Sequence, residues 1–170
     1  CEPGHATPSM AGTEAELRLI LENAGQGIYG VSPDGTCSII NPEGLRLLGY
    51  DTPEDVLGRN IHELIHHSYP DGTPYPSGRC PMLAVLREAA QVRATEVFFR
   101  RDGSTFETEC VALPVLRDGQ VMGAVITFCD ATDRRLAERR IVVLKRIAGV
   151  LAGATSVTDA GSRPTRAHAC

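Results

Sequence analysis

The sequence predicts an α+β fold: a five-stranded antiparallel sheet with short helices packed on one face, followed by a C-terminal linker helix. Three observations carry this. Two apolar runs come first, Gly27–Val31 and Thr36–Ile40, joined by Ser32-Pro33-Asp34-Gly35, whose proline and Asp-Gly favour a tight connection between strands. A cluster of short helical patterns follows, broken repeatedly by proline and glycine. Three strand-like runs then fill Ala94–Phe128, separated by Arg101-Asp102-Gly103 and Arg117-Asp118-Gly119. Strands, helices and strands in that order suit an antiparallel sheet covered on one side and exclude a closed parallel fold. No segment repeats at a fixed period, which excludes a solenoid.

The elements follow in order. From Glu14 to about Asn23, Ala15, Leu17, Leu19, Ile20 and Leu21 stand among charges, as in a short amphipathic helix that stops near Gly25. After the first hairpin, Asn41-Pro42 closes the second strand and starts a helix, because proline in a first helical turn forfeits no hydrogen bond. Leu45, Leu47 and Leu48 give that helix a buried side, and Gly49 ends it. Thr52-Pro53-Glu54-Asp55 repeats the start pattern, with a capping hydroxyl and acids at the positive helix end. Gly58 stops this second helix, and Asn60 to about His66 forms a third.

Ser68–Arg79, with three prolines and two glycines, is a loop. Cys80-Pro81 opens a longer helical pattern to about Gln91. In Phe106-Glu107-Thr108-Glu109-Cys110 both carboxylates share one face of a strand, while Phe106, Thr108 and Cys110 share the other. One face of the sheet is therefore wet.

Composition bounds the function. With 170 residues, 42% apolar and 22% charged, the chain can build one core. No run approaches a membrane span, and the N-terminus lacks the basic flank and apolar stretch of a secretory signal, so we expect a soluble, cytoplasmic protein without membrane insertion. Residues 1–129 carry 9 basic and 17 acidic groups, net −8, which argues against a nucleic-acid partner. The cysteines at 1, 37, 80, 110, 129 and 170 form no CxxC pair, so a zinc ribbon or disulfide scaffold is not expected. We divide the chain into a flexible tail (1–13), a domain (14–132), a linker helix (133–154) and a second tail (155–170).

The unusual stretch is His62-Glu63-Leu64-Ile65-His66-His67-Ser68-Tyr69-Pro70-Asp71-Gly72-Thr73-Pro74-Tyr75-Pro76, followed by Cys80-Pro81. On a helix His62 and His66 project from one face at the spacing at which two imidazoles share a metal, and Cys80 at a helix start supplies a thiolate. This spacing matches no standard metal motif. The competing reading has His66 and His67 capping a helix end beside a loop that merely packs. Cys80 with His66 or His67, oriented by Glu63, would also make a nucleophile and base. Nothing resembling an oxyanion loop, a phosphate loop or a kinase signature accompanies them, so no enzyme is expected from this chain.

Five pieces in order carry a family resemblance: Gly27-Ile28-Tyr29-Gly30 with Ser32-Pro33-Asp34-Gly35; Ile40-Asn41-Pro42 with Leu47-Leu48-Gly49-Tyr50; Val56-Leu57-Gly58-Arg59; Arg100-Arg101-Asp102-Gly103; and Phe128-Cys129-Asp130-Ala131-Thr132-Asp133-Arg134. From about Leu17 to Glu138 the chain resembles a PAS domain, the small sensor module of bacterial signalling proteins. The last piece is similar to the Asp-x-Thr junction that ends the PAS sheet and leads into an effector-linking helix. Asp130 and Thr132 are thus expected to couple signal to output, their side chains suited to the unpaired N–H groups of a helix start.

Downstream, Leu136, Val143, Ile147 and Val150, widened by Leu144 and Leu151, form an apolar stripe interrupted by Arg140. It suits a homodimer through helices, with an effector domain beyond this chain as the second partner. The alternative is a helix folded back on its own domain.

The resemblance implies a pocket between the inner sheet face and the helices. Alternation points Phe106, Thr108, Cys110 and Ala112 into it; by analogy with the family's last strand, Ala124, Ile126 and Phe128 join them. A small ligand or cofactor there would bias the exit helix. Plain core packing is the alternative for all seven, giving a ligand-free dimerisation module. Haem is a further possibility, because haem-binding relatives use a histidine on helices facing this pocket. The flavin photoreceptor branch uses an Asn-Cys-Arg motif; here the asparagines stand in Asn41-Pro42-Glu43 and Asn60-Ile61-His62, which disfavours a flavin adduct.

Overall fold

The computed structural model describes the backbone of residues 10–158 and the side chains of residues 14–147. In chain order it contains α1 (Met10–Glu22), β1 (Gly27–Val31), β2 (Cys37–Ile40), α2 (Pro42–Leu48), a 3-10 turn (Pro53–Asp55), α3 (Ile61–Ile65), a second 3-10 turn (Ser77–Arg79), α4 (Pro81–Glu88), β3 (Val92–Phe99), β4 (Thr105–Arg117), β5 (Gln120–Asp130) and α5 (Thr132–Thr158). The strands form one sheet in the order β2-β1-β5-β4-β3, antiparallel throughout. The last strand therefore lies in the middle of the sheet, and the chain leaves its central ribbon at Asp130. The chain divides into two units after Ala131, the sheet with its helices and then the segment containing α5.

Strand register explains which face is dry. Ile126 lies opposite both Tyr29 and Ala112, and Phe128 opposite Cys110. With a side-chain period of two, all of these point the same way. They meet Leu48, Val56, Ile65 and Val85 from the helical cluster, and together with Phe98 these residues make one core. Glu107 and Glu109 fall on the opposite, wetter face.

Asn41 ties three elements together. Its Oδ1 accepts from the N–H of Gly44 (2.8 Å), capping α2, and from the N–H of Ile28 (2.8 Å) in β1. Its Nδ2 donates to the carbonyls of Leu21 (3.0 Å) and Gln26 (2.9 Å), at the end of α1 and just before β1. A buried amide thus meets two donors and two acceptors, its full complement.

Four expected boundaries differ. The first helix begins at Met10, inside the expected tail. Thr52 opens only a 3-10 turn, and its side chain makes no cap bond to the backbone. α4 ends at Glu88 instead of Gln91, because Ala89 turns left-handed (φ 52°) and β3 must begin by Val92 to pair with Ala112. Strand pairing overrides the helical propensity of Ala89-Ala90-Gln91. The linker helix runs to Thr158, beyond the expected end at 154.

Gly123 sits at φ +151°, where a methyl group would run into the carbonyl oxygen of Val31 on the neighbouring strand. Neither atom can move without breaking the β1–β5 ladder. Gly123→Ala is expected to lose roughly 2–3 kcal/mol, read as a lower midpoint in thermal unfolding; an unchanged midpoint would show that the strands do not approach this closely.

Candidate functional site

α3 is positioned by its cap. Asn60 Oδ1 accepts from the N–H groups of His62 (3.0 Å) and Glu63 (3.3 Å), which orients the single turn that carries both histidines. His62 and His66, one turn apart, are both buried, 6% and 3% exposed. Their rings stand 5.6 Å apart. Cys80 arrives from the other side, where Pro81 starts α4, and is 2% exposed. One ligand atom from each of the three lies within 4.8 Å of the others. The structure thus brings together His62, His66 and Cys80 from a loop-separated sequence.

Each imidazole is held by its far nitrogen. His62 Nε2 lies 2.8 Å from the carbonyl oxygen of Tyr75, and an oxygen that only accepts requires that nitrogen to carry the proton. His66 Nε2 lies 3.2 Å from Glu96 Oε2, with the same consequence. The Nδ1 atoms remain: that of His66 is 3.3 Å from Cys80 Sγ, while that of His62 is buried with no hydrogen-bond partner. Tyr75, from the proline-rich loop, closes the site by standing edge-on to His66 at 4.3 Å, and Phe98 floors it at 5.4 Å.

This setting separates Cys80 from the other thiols. Burial by itself raises Cys80, but the two neighbouring imidazoles, His62 and His66, and the charge of His66 outweigh it, bringing the thiol down to about 6. Burial likewise opposes the charged form of His66, yet hydrogen bonds and charge from Cys80 and Glu96 hold it above the usual imidazole value. At Cys110 burial, with the nearby charges of Glu96, Cys80 and Cys129 adding to it, pushes the thiol up to about 12, and at Cys37 burial outweighs the bond to the Ile39 backbone and pushes it up to about 11.

Two expectations about these side chains need correction. His66 ends α3, but its ring caps no helix; it is engaged by Cys80 and Glu96, while His67 is exposed and bonded to Ser68. The carboxylate that orients the imidazole is Glu96 and not Glu63, which is exposed. Sequence reasoning missed Glu96, although a usable signal existed. Counting back from the Arg101–Gly103 turn pairs Glu96 with Thr108, placing it on the inner face.

Phe106, Thr108, Cys110, Ala112, Ala124, Ile126 and Phe128 are all buried on the inner face, packed against Tyr29, Phe98 and the helices. Of the seven, Ile126 alone lines the cavity beside the histidines, whose volume is about 10 Å³. That is room for about one water molecule, whereas organic ligands and cofactors occupy roughly 300–1,000 Å³. A haem does not fit here. His62, His66 and Cys80 suit a bare ion.

Arg100, just after β3, also escaped prediction as a functional residue. Its guanidinium donates to the carbonyl of Leu47 in α2 and, through Nη2, to Asp130 Oδ2 at 2.8 Å, and lies 4.1 Å over the Phe106 ring. One side chain thus joins the helical cluster to the last residue of β5. Arg101 adds a second grip, bonding Asp51 (3.2 Å) and Asp55 (3.0 Å). Asp130, expected to couple to the exit helix, is held by Arg100.

Known proteins share this architecture. The chain is 28% identical over 134 residues to the signal transduction histidine-protein kinase AtoS of Escherichia coli K12, covering 76% of this chain but only 20% of that protein. Among solved structures, the PAS domain of an HTR-like protein from Haloarcula marismortui matches with a TM-score of 0.55 at 24% identity, over 71% of this chain and 93% of that one. An RNA-binding Light-Oxygen-Voltage receptor matches with a TM-score of 0.68 at 23% identity, over 89% and 42% respectively. The PAS fold family model spans residues 15–131, more than half of the chain, and coincides with the sheet and its helical cluster; the chain belongs to the PAS family.

Proposed function

We propose that this chain is the sensory module of a larger signalling protein, taking its input at the helical cluster and passing it out through α5. The observation that carries the reading is Arg100, which bridges α2 and Asp130 from a position over the core. A change in the cluster that moves the Leu47 carbonyl is felt at the point where the central strand ends. The available energy is the input's differential affinity for two arrangements, commonly about 1–3 kcal/mol.

The kinase relative supports the output side, since this chain corresponds to a fifth of AtoS; in this reading catalysis belongs to an attached effector. On α5, Leu136, Val143, Leu144 and Ile147 are 43–64% exposed. A second copy would cover this stripe and make the output a change in a dimer. Val150 and Leu151, expected to extend it, lie outside the described side chains. No helix among the described residues is long and apolar enough to cross a membrane.

The test is a chimaera in which this chain replaces the matching segment of AtoS. Asp130→Ala and Arg100→Ala should each shift autophosphorylation several-fold while far-UV circular dichroism stays unchanged. Output equal to the parent in both variants would contradict a relay through this contact. The packed interior favours one second reading, a dimerisation module without ligand; it predicts a dimer whose output depends on α5 and not on Arg100.

A further inference from the structure

We propose that His62 Nδ1, His66 Nδ1 and Cys80 Sγ form a three-ligand site for a divalent transition-metal ion of the zinc type, its fourth position left for a water-sized ligand. The donors decide the class. Two imidazole nitrogens and one sulfur suit borderline-soft ions and offer nothing to Mg²⁺ or Ca²⁺, which require oxygen. Bond lengths of about 2.3 Å to sulfur and 2.0–2.1 Å to nitrogen place tetrahedral neighbours roughly 3.5 Å apart. His66 Nδ1 and Cys80 Sγ, at 3.3 Å, already stand near that separation. The widest pair, within 4.8 Å, needs to close by roughly 1 Å on loading.

Two independent features point to an ion rather than to a hydrogen-bonded core. His62 Nδ1 is a buried polar atom without a partner, on a residue 6% exposed that lines the cavity. Leaving such an atom unsatisfied is unfavourable, and a bound ion removes the cost. The far nitrogens then supply the orientation that metal-binding histidines need: a backbone carbonyl holds the ring of His62, and the Glu96 carboxylate holds the ring of His66. In the neutral imidazole each support places the proton on Nε2, which leaves the Nδ1 lone pair to the ion in place of the present His66–Cys80 contact. The adjoining cavity of about 10 Å³ admits one water or a ligand of that size.

Metal uptake stands independently of the sensory reading. A role for the ion as the sensed input, or as the anchor for a sensed ligand, rests on that reading, so the two are measured separately. Uptake is read by titrating the chelator-treated full chain with Co²⁺, followed by displacement with Zn²⁺. The terminal Cys1 and Cys170 are first changed to serine, so that the tails contribute no thiolate.

The expected result is one equivalent bound, with a sulfur-to-cobalt charge-transfer band and the visible bands of a tetrahedral ion, both abolished by Zn²⁺. Cys80→Ser should remove the charge-transfer band. His62→Ala should weaken binding, and Cys110→Ser should leave both unchanged. Glu96→Gln, a positioning change, should keep the band while weakening affinity roughly 10- to 100-fold. Absence of saturable uptake by the starting protein would overturn the proposal whatever the variants do. So would a charge-transfer band that survives Cys80→Ser. Uptake as expected, with no change in the output of the AtoS chimaera, would retain the site and reject only its role as input.

Discussion

Asn41→Ala is expected to destabilise the domain by about 3–5 kcal/mol, a loss large against the whole stability of a typical domain. The substitution removes both acceptor bonds and both donor bonds of the amide at once. It strands the N–H groups of Ile28 and Gly44 and the carbonyls of Leu21 and Gln26. A lost helix cap contributes about 1 kcal/mol of this. The remainder comes from backbone groups deprived of partners, for which water is a partial substitute. Asn41→Asp keeps the acceptors for Ile28 and Gly44 and loses the donors, so it should fall between alanine and the parent. Urea unfolding measures both. An alanine variant within 1 kcal/mol of the parent would show that the knot between α1, β1 and α2 is dispensable.

Phe98→Ala should cost a similar amount, about 3–5 kcal/mol, by a different route. The ring is fully buried and stands 5.7 Å from Phe128, 6.1 Å from Phe106 and 5.4 Å from His66, at the junction of sheet core and histidine cluster. Its removal loses the transfer energy of an aromatic side chain and opens a hollow whose rigid walls relax only in part. Such an apolar cavity binds benzene, so part of the lost thermal stability should return when benzene is added. A variant that is as stable as the parent and indifferent to benzene would mean that the inner face is not packed as described.

These two residues also show what the sequence made legible. Asn41 was readable as a helix start, because a capping side chain and the following proline are local signals. Its bonds to Leu21 and Gln26 were not, since they depend on where α1 ends in space. Phe98 was obscured by Phe99 beside it: two adjacent rings give no alternation, and only the pairing of Phe98 with Phe106 decides which is inside. The sheet itself was readable from Asp-Gly turns and from the period of Phe106–Cys110, both of which act within a few residues.

Among the site residues, His62 and His66 were visible as a helical pair and Cys80 as a helix-start thiol. Glu96, Tyr75 and Arg100 were not, because each acts across the fold, 30 residues from His66, 13 from His62 and 30 from Asp130 respectively. The composition of the loop gave no hint that Tyr75 would turn back onto the histidines. The small volume beside them was equally hidden, since strand period shows which way a side chain points and not whether space remains in front of it.

The most direct measurement of the relay is a double-mutant cycle on Arg100 and Asp130 in the AtoS chimaera, reading autophosphorylation. If the bridge between α2 and the end of β5 carries the signal, Arg100→Ala, Asp130→Ala and the double variant should all give about the same shifted output, because either single change already breaks the contact. Shifts that simply add in the double variant would assign the two residues independent effects and contradict the account.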